Sequence, residues 1–121
     1  MIEGTLIAES MRVGAELGGV RLVCRKISRA AAGDVSAGQP ELWTFIEFEA
    51  DEQDAGALAD TLAKVLDQHG WYTDFRTAEE TWVVFSGRVF RYRRGDGTGR
   101  AEAAAYGRSV GGPEHQLDWP V

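Results

Sequence analysis

Residues 71–85, WYTDFRTAEETWVVF, constrain this chain more than any other stretch. Two runs of alternating, strand-forming residues flank the short polar segment TAEE, the pattern of a β-hairpin. If Arg76 pairs with Thr81 and Phe75 with Trp82, side chains alternate between two faces. One face then carries Trp71, Thr73, Phe75, Trp82 and Val84; the other carries Tyr72, Asp74, Arg76, Val83 and Phe85. Both are rich in aromatic or branched groups, and large contiguous apolar patches are unusual on a monomer. The second face therefore needs a cover: the amino-terminal strands, the carboxy-terminal tail or a second copy of the chain. A homodimer is the expected arrangement.

The remaining elements follow from periodicity and punctuation. TLIAES and VRLVCRKIS alternate with period two and predict two amino-terminal strands, separated by the glycine-marked MRVGAELGG. A loop spans residues 30–41, and LWTFIEFEA, apolar on both faces, reads as a central strand. From Asp54 to His69 the residues Ala55, Leu58, Ala59, Leu62, Val65, Leu66 and His69 recur at helical spacing. Asp51 or Asp54 is the expected cap of this helix, Gly70 its left-handed terminator, and Asp60, Lys64 and Asp67 its wet side. Beyond Phe85, Ser86-Gly87 is either a two-residue turn into a third strand, RVFRY, or a bulge within one long strand. A second helix is expected from Gly99 to Val110, ended by Gly111 and Gly112. In the irregular tail, residues 112–121, Trp119 is expected to dock into a groove of this chain or its dimer mate. The sharper reading makes the tail a docking peptide for another protein.

These elements predict a single α+β domain over residues 1–121: an antiparallel or mixed sheet of five to six strands with two helices on one side. Residues 42–110 have the βαββα element order of a ferredoxin-like sandwich, a resemblance of order alone that implies no function. No signal peptide is apparent, and the longest strongly apolar run, WVVF, is far shorter than the roughly 20 residues that span a bilayer, so a cytoplasmic protein without a membrane segment is expected. A single cysteine, Cys24, cannot form an internal disulfide and reads as a buried thiol. With His69 and His115 it matches no common zinc spacing, so neither a metal nor another cofactor is expected. The preference for Ala, Gly and Arg over Lys hints at a GC-rich bacterial genome.

The net charge of −6 argues against general nucleic-acid binding. Yet SGRVFRYRRGDGTGR, residues 86–100, is locally basic, with five arginines opposed only by Asp96. A strand, a glycine-rich turn and a helix start can hold an anion, with Gly97, Thr98 and Gly99 offering amides and Arg93, Arg94 and Arg100 adding charge. Thr98 would cap the helix there. However, Arg100 stands where a dinucleotide loop has its third glycine, no Gly-Lys-Ser/Thr follows, and Asp96 repels phosphate, so a plain exposed turn is the better reading. Alternation also splits the arginines, Arg91 and Arg93 from Phe90, Tyr92 and Arg94, as an edge strand guarded by charge would. For acid–base chemistry the candidates are Glu47, Glu49, Asp74, Tyr72, Arg76 and His69, without a nucleophile elbow or other catalytic motif. The sequence thus points to a small binding or interaction module that contacts a protein partner or small ligand through a partly open sheet face. Tyr72, Asp74, Arg76, Arg91 and Arg93 are its candidate contacts. The alternative is a small enzyme or phosphate-ligand protein using GDGTG and its arginines, Arg94 and Arg100 included.

Overall fold

The computed structural model describes residues 1–32, 35 and 39–121. Six strands form one sheet: β1 (Ile2–Ile7), β2 (Val23–Ala31), β3 (Leu42–Ala50), β4 (Tyr72–Arg76), β5 (Glu80–Phe85) and β6 (Arg88–Arg93). Two helices accompany them, α1 (Ala55–Val65) and α2 (Gly97–Ser109). The spatial order is β2-β3-β1-β4-β5-β6, and every neighbouring pair is antiparallel. β1 lies between β3 and β4, so those two strands run in the same direction and α1 makes the crossover between them. Gly4 allows this close insertion, because a Cβ there would lie 2.7 Å from the Phe48 ring and 2.8 Å from Phe75 Cβ.

The hairpin has the register expected from its alternation, with Phe75 opposite Trp82 and Arg76 opposite Thr81. Ser86-Gly87 is a turn rather than a bulge: Phe85 pairs with Arg88 across it, and Gly87 takes a φ of 71°. Residues 42–110 consequently read βαβββα, and the ferredoxin-like βαββα order does not emerge. The LWTFIEFEA strand, β3, is paired on both sides but sits second from one edge rather than at the centre.

The helices occupy opposite faces, not one. Leu58, Leu62 and Val65 of α1 join Ile2, Phe48, Phe75, Trp82 and Val84 in one buried cluster. Ala103 and Ala104 of α2 join Val83, Phe85, Tyr92, Leu117 and Trp119 in another. Val83 and Val84 are neighbours on one strand and necessarily point to opposite sides. Each fully buried Leu of α1 stabilises the fold by about 1.5–3 kcal/mol relative to exposure.

α1 stops at Val65, four residues before the expected end. Leu66 remains fully buried but turns extended and forms an isolated bridge to Met11. The Arg12 amide donates to Val65 O at 2.8 Å, and the Arg12 guanidinium donates to Lys64 O. These bonds satisfy carbonyls at the helix end that a longer helix would have bonded internally. His69, expected on the buried stripe, is instead exposed with a φ of 76°, and Gly70, at φ 85°, shapes the following turn rather than the helix end. At the start of α1 neither Asp51 nor Asp54 caps through its side chain; a single 3₁₀ turn, Glu52–Asp54, leads in. Asp60, Lys64 and Asp67 do face water.

Residues 30–41 fall partly on 33, 34 and 36–38, outside the described residues. Their flanks are joined where Ala32 N donates to Glu41 O at 2.7 Å. β2 is an edge strand open on both sides, so Cys24, expected to be buried, is exposed. β6 is the other edge.

Candidate functional site

α2 and the tail cover the second sheet face unevenly. Over β5 and β6 they bury Val83, Phe85 and Tyr92. Over β3 and β1, Trp43, Phe45 and Ile7 stay half-buried and Thr5 is exposed. Where covered and open halves meet lies a cavity of about 450 Å³. Its walls are Thr5 and Ile7 from β1, Trp43 and Phe45 from β3, Trp71, Tyr72 and Asp74 at β4, and His115, Gln116 and Asp118 from the tail. Ala31 and Ala32 also line it.

Local bonding holds these walls in place. Trp43 donates its indole N–H to Pro40 O at 2.8 Å, and its ring lies 5.1 Å from Trp71 and 6.1 Å from Phe45, tilted against both. The tail is fastened by Arg100 of α2, whose Nη2 donates to Leu117 O at 2.9 Å and whose Nε donates to Trp119 O at 3.1 Å. Trp119 itself is buried against Tyr72, at 4.9 Å between rings, with the Arg100 guanidinium 5.3 Å from its own ring. The docking expected of Trp119 therefore happens within this chain. Tyr72 Oη donates to Asp118 Oδ1 at 3.0 Å and also lies against Gln116 O.

The electrostatics of the cavity centre on two carboxylates. Burial pushes the Asp74 carboxyl up to about 6; Arg76 opposes the shift and Asp118 adds to it. Among the described residues, none donates a hydrogen bond to Asp74 apart from its own amide. Burial, with Asp118 and Asp74 nearby, also raises the Tyr72 hydroxyl far above its ordinary range, so Tyr72 stays a protonated donor. The result is an aromatic recess with an acid in its lining, suited to holding a group that brings its own donor or positive charge.

The residues expected to form the contact surface are brought together only in part. Tyr72 and Asp74 line the cavity, while Arg76 lies on the same face but outside it, beside Glu3. Arg91 and Arg93 alternate onto the α1 side of the sheet; Arg91 Nε donates to Glu80 Oε2 at 2.6 Å and its guanidinium stacks 4.7 Å from Trp82. Trp71, assigned by alternation to the α1 side, packs on Trp43 at the cavity instead, because β4 and its alternation begin at Tyr72.

The glycine turn carries a different cap from the one expected. α2 begins at Gly97, and Asp96 rather than Thr98 is the cap: its Oδ1 accepts from Thr98 N at 3.0 Å and Gly99 N at 3.2 Å. Two of the three amides offered to an anion, those of Thr98 and Gly99, are thus already bonded to a carboxylate, and Arg100 is committed to the tail. Arg94 donates to Thr77 O at 3.4 Å. Gly99 is needed for close packing, since a Cβ there would stand 2.4 Å from Tyr92 Cβ. Of the candidate acid–base groups, Glu47 pairs with Lys26 at 3.8 Å and Glu49 with Arg25 at 3.3 Å, while His69 borders a separate, smaller recess. Among the described residues, no group of three or more His, Cys, Asp or Glu is positioned to share a metal ion. Among the described residues, no helix is long and apolar enough to cross a membrane.

Sequence reasoning missed Trp43, Phe45, Trp71 and Asp118 as parts of one site. Alternation along β3 contained the signal for Trp43 and Phe45, which share a face; nothing local to the tail indicated Asp118. No protein family, curated protein or solved structure matches this chain, so its function is argued from this geometry.

Proposed function

We propose that this protein is a small-ligand binding module whose site is the aromatic cavity between the open half of the sheet and the tail. The observation that carries the reading is the placement of Trp43 and Phe45, two large aromatic side chains left half-buried against a recess that also has a carboxylate in its lining. A volume of about 450 Å³ falls within the range of small-molecule sites, roughly 300–1,000 Å³. The concave shape favours a small ligand over a protein partner, whose interface would need about 800 Å² from each side. A reducing, cytoplasmic setting fits this reading, because Cys24 is a single exposed thiol. Binding rather than turnover is the activity we assign: Glu47 and Glu49 are paired with cations, and the Tyr72 proton is committed to the tail.

Tryptophan emission provides the test, since Trp43 and Trp71 both line the cavity. Titration with a panel of small aromatic compounds is expected to shift or quench emission saturably, and Trp43→Ala is expected to weaken the best ligand about tenfold. A panel that leaves emission unchanged at millimolar concentration, or a ligand that binds equally well to Trp43→Ala, would overturn the reading.

A further inference from the structure

We infer that the ligand of this cavity is an organic cation, an aryl-alkyl ammonium whose ring lies among the tryptophans while its charged head meets Asp74. The inference rests on the binding reading above and adds the ligand's charge.

Three features of the walls point the same way. First, Trp43, Phe45 and Trp71 supply π-faces at one site, and the negative face of an aromatic ring attracts a cation, most strongly for tryptophan. Second, both carboxylates of the cavity, Asp74 and Asp118, lie on its β4 and tail side, away from Trp43 and Phe45 on β3. Asp118 already accepts from Tyr72, whereas Asp74 receives no donor from another described side chain. Third, among the described residues no arginine or lysine lines the cavity: Arg76 lies on the same face as Asp74 but borders other recesses. His115 is the one basic side chain among the described lining residues.

Asp74 is half-buried and, among the described residues, accepts only from its own amide, so an ammonium group both neutralises it and supplies up to three N–H donors. An anionic ligand would meet Asp74 and Asp118 with no lining Arg or Lys to offset them. A neutral ligand could donate one hydrogen bond to Asp74 but would leave its charge uncompensated. The lining agrees with the charge: Trp43 and Phe45 on β3 and the acid on β4 lie on one sheet face with β1 between them, which suits an elongated amphipathic molecule with a flat apolar end.

The test uses three probes with the same aromatic tail and different heads: phenethylammonium, phenethyl alcohol and hydrocinnamate. Each is titrated against the full chain by calorimetry or tryptophan emission. The ammonium is expected to bind about tenfold more tightly than the alcohol, with the carboxylate weakest. In Asp74→Asn the ammonium is expected to fall to the level of the alcohol while the alcohol is unaffected. That substitution removes a buried charge, and a melting curve of the variant confirms that lost binding is not lost folding. Equal binding of ammonium and alcohol to the unmodified protein overturns the cation assignment and leaves the small-ligand reading standing. Preference for the carboxylate overturns the assignment outright. Silence from all three, together with a wider panel of aromatic compounds, removes both.

Discussion

Asp74 stands between opposing demands. It belongs to a central strand and must tolerate burial, yet its neighbours supply no hydrogen-bond donor, so its carboxyl pKa rises from 3.8 to about 6. A pKa raised on folding means that the native state favours the protonated form. The stabilising contribution is fully present below about pH 4 and is lost as pH rises through 6. Asp74→Asn, neutral at every pH, is therefore expected to be more stable than the parent by about 2–3 kcal/mol near neutral pH, with the advantage fading below about pH 4. Urea unfolding at the two pH values measures this; equal midpoints near neutrality would mean that the carboxylate is well solvated. A residue whose ionised form costs stability in a cavity is a candidate for function on physical grounds.

At the scale of elements, the tail is the least expected contributor. It has no regular structure beyond one 3₁₀ turn, Glu114–Gln116, yet it covers β4 and β5 and forms one wall of the cavity. Arg100 links it to α2, so helix, tail and sheet form one unit. Trp119→Ala would remove a side chain that is 3% exposed and would leave the Arg100 guanidinium without its ring. A loss of about 3–5 kcal/mol is expected by denaturant unfolding, as for other buried large-to-small changes. A loss below about 1 kcal/mol would show that the tail rests on the sheet without stabilising it. Much of this arrangement follows from local sequence signals. The hairpin register came from alternation and the α1 stripe from helical spacing. The end of α1 did not, because Arg12, far away in sequence, bonds its terminal carbonyls.

For the whole molecule, the expectation of a homodimer rested on a sheet apolar on both faces. α2 and the tail now account for much of the second face. Apart from the open half of that face, which holds the cavity, a second copy could meet the outer edge of the α1 face, where Ile27 is 63% and Leu42 55% exposed. Ladder pairing between two β2 strands is disfavoured by the irregularity between Cys24 and Lys26 and by the cations Arg25, Lys26 and Arg29. We therefore propose that self-association, where it occurs, uses face contact through Ile27 and Leu42. Sedimentation is expected to show a concentration-dependent dimer that Ile27→Lys with Leu42→Lys converts to monomer. A parent that sediments as a monomer at high concentration removes the proposal.

Alternation and spacing along the chain, by themselves, determined the hairpin pairing, the buried stripe of α1, the presence of two helices and the need to cover both sheet faces, because side-chain direction within an element depends on local geometry; the first strand, expected over residues 5–10, instead runs Ile2–Ile7. Tertiary structure alone decided which face each helix took, where α1 ended, that Asp96 claimed the amides of the glycine turn, and that Trp43, Asp74 and Asp118 met around one cavity. Those outcomes depend on contacts between residues distant in sequence, where partners compete for the same carbonyl, amide or patch of surface, and no local pattern records which one prevails.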